Sequence, residues 1–500
     1  MSTMQQAPSV QWRCENTQIE SDCACLIHLE TKTPIVLWNE GVKQAENNCA
    51  CSALSSSLTP KAAILKGEYW HHPEELFQQS LPDQHTLLFN PYGMAGPVVL
   101  NELALALFME YKQPKVLDQP VAQQLAELGL LQSVDTSHLI PDSPSTTLTA
   151  WLHVTNACNL RCTYCYVDKS DEAMDAATGL AAIDTLFASA LRQGFQAIKL
   201  KYAGGEATLN FGLVKTLHEY AEQQAQATGL ALEGAVLSNG VALSKAMLTF
   251  IREHNLRLMI SLDGSEAEHD AQRTFVNGRG SYTHVMRSID RALAAGVRPH
   301  LSITITGQSI DGIADAVKFA LDRDLLFNLN FYRDHEATQD VNELRAGDER
   351  LIAAMFAAFA VIEAQLPRQS LIGALVDRSS FAGPHKHACG AGHDYVVVDH
   401  QGKLSRCQME IERPVTDIFS AEPLAEIQLH TTGFQNLSVD EKEGCRDCQW
   451  RYWCAGGCSL LTYRVTGRND VKSPYCNVYK AIYPELLRLE GLRLLKWRNN

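Results

Sequence analysis

The chain has 500 residues, of which 46% are hydrophobic and 20% charged, and this average globular composition excludes collagen-like, coiled-coil and wholly disordered chains. The formal net charge is -14 without a Lys- and Arg-rich run to offset it, so we expect no nucleic-acid partner. The longest fully apolar stretch, residues 351–362, is shorter than a membrane span, predicts a buried helix and gives no reason to expect a membrane partner. Because the first residues lack a signal-peptide pattern, we predict a cytoplasmic protein.

The fifteen cysteines are the most informative feature of the composition. Cytosolic thiols are kept reduced, so metal or iron-sulfur ligation is a better explanation for them than a disulfide framework. They fall into three groups: Cys14, Cys23, Cys25, Cys49 and Cys51; then Cys158, Cys162 and Cys165; then Cys389, Cys407, Cys445, Cys448, Cys454, Cys458 and Cys476.

The N-terminal part is predicted to hold two units. Residues 1–60 show weak periodicity, and their Cys-x-Cys pairs fit either a metal site or buried free thiols. Residues 61–147 are predicted to form a winged-helix-like module. Its strand TLLFN and its turn NPYGMAGP precede a helix that starts with Leu100, and a second helix is capped near Gly129.

Residues 148–370 alternate short β-rich runs with helical patterns, as βα units around a parallel sheet do. Six units are fewer than the eight of a closed barrel, so the predicted fold class is α/β, a partial (β/α)6 TIM-like barrel. In such folds, the chemistry lies at the C-terminal ends of the strands. The predicted strands are residues 148–155, 197–205, 233–240, 257–264, 298–306 and 326–334.

The loop after the first of these strands carries a Cys-x3-Cys-x2-Cys motif, formed by Cys158, Cys162 and Cys165. Three thiolates hold three irons of a [4Fe-4S] cluster and leave the fourth iron open to another ligand. An iron without a protein ligand indicates a catalytic cluster rather than one that only stores electrons. A zinc knuckle or buried thiols are the alternative, but no fourth ligand lies nearby in the sequence.

The segment CNLRCTYCYVDK resembles the signature of the radical SAM enzymes, and GGEAT, LSNG and SLDG follow in the order of that family's motifs. The resemblance implies that the open iron chelates S-adenosylmethionine (SAM). Glu206 is expected to accept hydrogen bonds from the methionyl ammonium, and the family's usual proline is Ala207 here. The implied SAM-binding residues are Tyr164, Gly204, Gly205, Glu206, Asn239, Ser261 and Asp263.

The stretch that begins at SLDG resembles the peptide- and protein-modifying subgroup, in which an arginine pairs with the SAM carboxylate. Arg273 and Arg287 both fit that role, and Arg279 fits a solvated loop charge equally well. Tyr202, Tyr332 and Arg333 lie at predicted strand ends and are candidate substrate-facing residues.

Residues 371–500 resemble a SPASM domain, which typically holds two auxiliary iron-sulfur clusters. The resemblance implies one cluster on Cys445, Cys448, Cys454 and Cys476, and another on Cys389, Cys407 and Cys458. Some relatives add an eighth cysteine, and Gly383 stands at that place. The second site is therefore three-coordinate by protein, uses His385 or His387, or binds substrate directly. A pair of structural zincs is the alternative for all seven cysteines.

Together these resemblances imply an enzyme that cleaves SAM to a 5'-deoxyadenosyl radical, which takes hydrogen from a ribosomally made precursor peptide. The product is a thioether, carbon-carbon or ether crosslink, or an epimerised residue. Residues 61–147 resemble leader-peptide recognition modules, to which a precursor adds as a strand. A flavodoxin- or ferredoxin-type protein is the expected reductant.

Two alternatives remain open. One is an anaerobic sulfatase-maturating enzyme, but that group usually has an aspartate, proposed as a base, where this chain has Gln408, and a carboxamide is no general base. The other is an iron-sulfur electron carrier without catalysis, for which the SAM-pocket motifs would have no purpose.

Overall fold

The computed structural model describes residues 33–39, 68–135, 140, 145–338, 341, 343–379, 381 and 383–498. The N-terminal cysteines lie outside these residues, so a metal site among them stays a prediction. The strands are β1 (Val36–Leu37), β2 (Trp70–His71), β3 (Phe77–Leu81), β4 (His85–Phe89), β5 (Val98–Leu100), β6 (Gln132–Ser133), β7 (Thr147–His153), β8 (Leu160–Cys162), β9 (Ala197–Ala203), β10 (Ala231–Ser238), β11 (Arg257–Ser261), β12 (Arg273–Phe275), β13 (His300–Ile305), β14 (Phe327–Phe331), β15 (Tyr395–Val398), β16 (Lys403–Ser405) and β17 (Thr416–Asp417). The α-helices are α1 (Glu102–Met109), α2 (Pro120–Glu127), α3 (Ala176–Arg192), α4 (Phe211–Thr228), α5 (Lys245–Glu253), α6 (Glu266–Gln272), α7 (Tyr282–Ala294), α8 (Ile313–Asp322), α9 (Asp348–Ala364), α10 (Pro423–Leu429), α11 (Arg451–Cys454), α12 (Ser459–Thr466) and α13 (Cys476–Lys496).

The described N-terminal residues contain a four-stranded antiparallel sheet in the order β1-β5-β4-β3, with α1 and α2 beside it. Because β1 lies in residues 1–60, this sheet spans both of the predicted N-terminal units. The prediction that Leu100 lies in the first helix was wrong, because Leu100 ends β5 and pairs with both Val36 and Thr86. Asn101 caps α1 by accepting a hydrogen bond from the Ala104 amide at 3.0 Å, so the helix begins one residue later, at Glu102. A winged-helix identity stays a prediction.

The centre of the molecule is a nine-stranded sheet in the order β14-β13-β11-β10-β9-β7-β15-β16-β17. The six strands from β14 to β7 are parallel and are those predicted from the sequence, which confirms a mostly parallel α/β fold. Helices connect successive strands, as parallel pairing requires. The ends of β7, β9, β10, β11 and β13 therefore lie along one edge of the sheet.

The cysteine-rich region contributes a strand to this same sheet. β15 pairs in parallel with β7, with Tyr395 opposite Thr149 and Val398 opposite Leu152, and all four of its residues are buried. β16 and β17 extend the sheet in antiparallel fashion. The predicted boundary at residue 370 thus separates two stretches of sequence that share one sheet.

Helix α9 confirms the predicted buried helix, because Leu351, Met355, Phe359 and Ile362 are all buried along one of its faces. Helix α13 packs against α9 on one side and against β3, β4 and β5 on the other. It thereby fixes the N-terminal sheet to the rest of the molecule. No helix among the described residues is long and apolar enough to cross a membrane.

Candidate active site

The three cysteines of the first motif lie together in the loop that follows β7. Cys162 ends the short strand β8, which pairs with β12 so that Cys162 stands opposite Arg273. Burial raises the pKa of Cys162 to about 12, Arg273 opposes this shift, and the neighbouring Cys165 and Cys158 raise it further. All three are free thiols that retain some exposure. Three mutually close, unpaired thiols at strand ends fit the three protein ligands of an open [4Fe-4S] cluster.

Gly204 and Gly205 allow the end of β9 to touch the backbone of this cysteine loop. A Cβ atom on Gly204 would lie 2.4 Å from the Thr155 oxygen, and one on Gly205 would lie 2.4 Å from the Asn156 oxygen. The Gly205 amide donates to the Thr155 oxygen at 2.7 Å, and the next amide continues this pairing. The close approach that these glycines permit is thus between two protein backbones.

Glu206 is buried and its carboxylate is held by four protein donors. Oε1 accepts from the Thr208 amide at 3.1 Å, from the Thr208 hydroxyl at 2.6 Å and from the Ser238 hydroxyl at 2.8 Å. Oε2 accepts from the Asn239 amide at 2.6 Å. This side chain therefore connects the ends of β9 and β10, and its predicted bond to a methionyl ammonium would use the remaining acceptor capacity of Oε2.

Asn239 connects the end of β10 to the cysteine loop. Its Nδ2 donates to Asn159 Oδ1 at 2.7 Å and lies 3.8 Å from the Cys158 sulfur. The same side chain accepts from the Val241 amide through Oδ1 at 2.9 Å, which fixes its orientation. The structure thus brings Glu206, Asn239 and Cys158 into one connected network.

Tyr164, Asp263 and Arg273 form a buried polar cluster behind Cys162. Arg273 Nη1 lies 3.3 Å from Asp263 Oδ2 and also donates to the Tyr164 hydroxyl, which in turn donates to Asp263. Asp263 Oδ1 accepts from the Thr304 amide at 2.8 Å. Burial raises the pKa of Tyr164 well above its usual range, so the phenol stays protonated and remains a donor.

The two candidate arginines differ in placement. Arg273 is buried, and its Nε has no hydrogen-bond partner among the residues that the structure describes. Arg287 is exposed on α7, and Arg279 is exposed in the loop before that helix. A buried, unpaired guanidinium N–H beside the cysteine loop fits an anionic ligand group, whereas the other two side chains face water. Ser261 is half-buried at the end of β11.

The candidate substrate-facing residues are engaged in the protein interior. Tyr202 is fully buried, and its hydroxyl lies 3.2 Å from His218 Nδ1 on α4. Tyr332 is buried and its hydroxyl lies 2.7 Å from the Thr338 hydroxyl. The structure therefore gives both tyrosines a packing role, because neither ring is open to a bound molecule.

Arg333 extends from the end of β14 towards the second cysteine region. Its Nη2 lies 2.7 Å from both carboxylate oxygens of Asp377, and its Nε donates to the Cys458 sulfur at 3.4 Å. Burial raises the pKa of Cys458, but Arg333 and Arg378 outweigh this effect and leave the pKa below its usual value. The barrel thus supplies a positive charge to a predicted cluster ligand.

Four of the seven C-terminal cysteines, Cys445, Cys448, Cys454 and Cys476, line one small cavity. Burial raises the pKa of Cys454 to about 12, and the adjacent thiols of Cys445, Cys448 and Cys476 raise it further. These are the four residues predicted to hold a complete cluster. Their convergence on one cavity fits four metal-sulfur bonds, to iron or to zinc.

Lys442 is a buried residue that the sequence analysis missed. Its ammonium donates to the Ala455 oxygen at 3.1 Å and to the Ser459 hydroxyl at 3.4 Å. Burial lowers its pKa, while thiols from both C-terminal groups, Cys445, Cys389, Cys454 and Cys458, raise it. The side chain therefore lies where it can balance negative charge at both sites. A lysine close before a Cys-x2-Cys pair was the available sequence signal.

Residues around the three-cysteine group have protein partners of their own. His385 Nδ1 lies 3.1 Å from the Gly383 oxygen, and His387 Nδ1 lies 2.9 Å from the Asn436 oxygen. The buried Gln408 carboxamide accepts from the Tyr395 hydroxyl at 2.8 Å. The Gln408 side chain has no acid-base function, because a carboxamide does not exchange protons near neutral pH.

Comparison with known proteins shows which families this chain resembles. The profile of the Radical SAM superfamily matches residues 152–320. The chain is 22% identical over 356 residues to a cysteine-type anaerobic sulfatase-maturating enzyme of Clostridium novyi, covering 65% of this chain and 91% of that protein. It is 28% identical over 273 residues to a GTP 3',8-cyclase of Pseudomonas putida, covering 51% and 77%. A solved structure described as native anSMEcpe with bound AdoMet and Cp18Cys peptide aligns with 71% of this chain and 99% of its own, with a TM-score of 0.57 and 17% identity, and thus shares the fold.

Proposed function

We propose that this chain is a radical SAM enzyme that modifies a ribosomally made precursor peptide, since its residues 152–320 match the profile of the Radical SAM superfamily. The observation that carries the proposal is that Cys158, Cys162 and Cys165 lie close together beside the parallel sheet, while Cys445, Cys448, Cys454 and Cys476 line one cavity. Cys389, Cys407 and Cys458 are assigned to a third site by resemblance. The first group fits an open cluster, and the others fit two auxiliary clusters, as in the SPASM enzymes that the chain resembles.

Membership of the superfamily implies a [4Fe-4S] cluster and SAM. Cys158, Cys162 and Cys165 would hold such a cluster, and the chemistry it would supply there is one-electron reductive cleavage of SAM. The protein positions SAM for this step. Glu206 and Asn239 hold the loop that carries the cysteines, and the unpaired Nε of buried Arg273 is available to the SAM carboxylate.

Two observations favour a peptide as the substrate. The solved structure that shares the fold is described with a bound peptide. In addition, β3 lies at one edge of the N-terminal sheet with its residues alternately half-buried and exposed, which suits the addition of an extended peptide strand. The peptide becomes crosslinked or epimerised after a hydrogen atom is removed from one of its carbons. A flavodoxin- or ferredoxin-type protein would supply the electron.

Sulfatase maturation is the second candidate, favoured by the match to the Clostridium novyi enzyme along 91% of its length. Against it stands the buried Gln408, which accepts a hydrogen bond from Tyr395 and cannot take up a proton as a carboxylate does. Mass spectrometry of a cysteine-containing sulfatase peptide after reaction distinguishes the two functions, because only sulfatase maturation yields formylglycine.

The enzyme assignment is tested on protein reconstituted anaerobically with iron and sulfide. We expect about twelve irons per chain and formation of 5'-deoxyadenosine from SAM with dithionite. Substitution of Cys158, Cys162 and Cys165 by Ala together should remove about four irons and all deoxyadenosine formation. Zinc in place of iron, or intact clusters without deoxyadenosine, would instead indicate a structural or electron-carrying protein.

A further inference from the structure

Three side chains on the helical layer of the barrel form a group that the radical chemistry does not use. They are His218 and Glu222, one turn apart on α4, and His254, which directly follows α5. One ligand atom from each lies within 4.8 Å of the other two. We propose that these residues bind a divalent transition-metal ion of the zinc class.

The spacing of the three ligand atoms suits a tetrahedral ion. Zinc bonds of about 2.0 to 2.2 Å place neighbouring ligand atoms roughly 3.3 to 3.6 Å apart. His254 Nδ1 lies 3.0 Å from Glu222 Oε1, and His218 Nε2 lies 3.7 Å from the same oxygen. These two separations bracket the required value, and the ligand atoms of the two histidines lie within 4.8 Å of each other, so small side-chain rotations bring all three atoms to one ion.

His218 is oriented for coordination by its surroundings. Its Nδ1 lies 3.2 Å from the Tyr202 hydroxyl, which leaves Nε2 directed at Glu222 and His254. A second partner on the other ring nitrogen is the usual arrangement of a metal-bound histidine. Space for the ring comes from Gly234, where a Cβ atom would lie 2.7 Å from His218 Cε1.

The donor set selects the kind of ion. Two imidazoles and one carboxylate suit zinc and its neighbours, whereas calcium and magnesium prefer oxygen alone. The Glu222 side chain is 42% exposed, so an ion has a path from solvent and room for water as a fourth ligand. The ion would join the middle of α4 to the end of α5, and no cysteine takes part in the site.

The test uses holoenzyme with its iron-sulfur clusters loaded, so that the cluster cysteines are occupied. The protein is equilibrated with micromolar zinc, separated from free zinc by gel filtration and analysed for metal content, and its thermal midpoint is measured with and without zinc. We expect one zinc per chain in the wild type and a zinc-dependent rise in the midpoint. In Glu222→Gln and His254→Asn, zinc affinity should fall at least tenfold.

Glu219→Gln is the matched control. Glu219 lies on α4 as Glu222 does, and its side chain has the same exposure of 42%. Its carboxylate pairs with Lys215, which is not one of the three proposed ligands. The Glu219→Gln variant should bind zinc as the wild type does. Iron content, measured for every variant, reports whether the fold is retained. The proposal is overturned if wild-type holoenzyme binds no zinc or if Glu222→Gln retains full affinity. In either case the three residues are a hydrogen-bonded helix contact only.

Discussion

Arg333 connects the parallel sheet to the proposed auxiliary site at Cys389, Cys407 and Cys458. It lies just after β14 and contacts the last of these cysteines. Its Nε donates to the Cys458 sulfur and its charge is balanced by Asp377. Hydrogen bonds and positive charge at cluster sulfurs stabilise the reduced state and raise the reduction potential. A side chain on a barrel strand is thus placed to adjust the electron affinity of a site in the other region.

We therefore expect Arg333→Gln to lower the midpoint potential of that cluster, by on the order of tens of millivolts. The potential is measured by a redox titration followed with electron paramagnetic resonance. Arg333→Lys should give a smaller shift, because it keeps the charge and loses the directed Nε donor. Arg468→Gln, which removes an exposed arginine paired with Asp470, should leave the potential unchanged. An unaltered potential in Arg333→Gln would contradict the role of Arg333.

His300 makes folding stability depend on pH. Burial lowers its pKa to about 4, and the positive charges of Arg257 and Lys199 act in the same direction. Because the folded pKa lies below the unfolded value of about 6.5, the unfolded chain binds more protons between these values. This contribution to stability is therefore fully present above about pH 6.5 and is lost as the pH falls towards 4.

Between pH 7 and pH 5, the His300 contribution amounts to about 2 kcal/mol of unfolding free energy. We expect His300→Gln, which does not titrate, to lose less stability over this interval than the wild type. Denaturant unfolding at both pH values measures the difference. Parallel pH dependences in the two proteins would mean that His300 is protonated equally in the folded and unfolded states.

At the scale of elements, the close backbone contact between the end of β9 and the cysteine loop yields a prediction. A Cβ atom on residue 205 would lie 2.4 and 2.5 Å from two loop carbonyl oxygens, so the loop must move. Gly205→Ala should therefore lose the iron held by the first cysteine motif and most deoxyadenosine formation, while the auxiliary iron stays. Gly212→Ala is the control, since no atom lies within 4 Å of a Cβ there. Full iron content in Gly205→Ala would show that the loop adapts.

The parallel strands were predictable because each is an apolar run bounded by turn signals, and their ends differ from the prediction by only a few residues. The run 257–264, for example, ends earlier, at Ser261, because the chain then turns into the SLDG loop. β15 was missed because four residues among loops give no periodic pattern. The boundary between β5 and α1 was misplaced because Leu100 has helical spacing to Leu103 and Leu107, whereas its pairing with Val36 is a contact between distant segments.

Within the site, spacing predicted that Cys158, Cys162 and Cys165 lie together, because metal ligands must be close in space and are often close in sequence. The division of the seven C-terminal cysteines between two sites came from the family resemblance instead. The orientation of Tyr202 was not predictable. Both faces of β9 are buried, so the order of its residues does not distinguish a buried face from an exposed one. The sequence therefore does not predict which side chains of β9 face α4. The difference between Arg273 and Arg287 depends on the pairing of β12 with β8, a contact between distant segments.

At the scale of the whole molecule, the barrel and the cysteine-rich region should fold as one unit, because β15 covers β7. All seven residues of β7 are buried. A chain that ends at residue 370 would expose an apolar strand edge, and such edges associate with other chains. We expect this truncated protein to be insoluble, as judged by expression and sedimentation. A soluble, monomeric product would show instead that residues 148–370 are an independent domain.

The pairing of β15 with β7 also bears on how such a chain can change over evolutionary time. Residues 395–398 pack in register against residues 149–152, so a substitution on one strand alters the fit of the other. A cysteine-rich region exchanged between relatives would have to arrive with a strand that matches the recipient's β7. Diversification by gradual, paired substitution is therefore more accessible to this architecture than the shuffling of ready-made C-terminal regions.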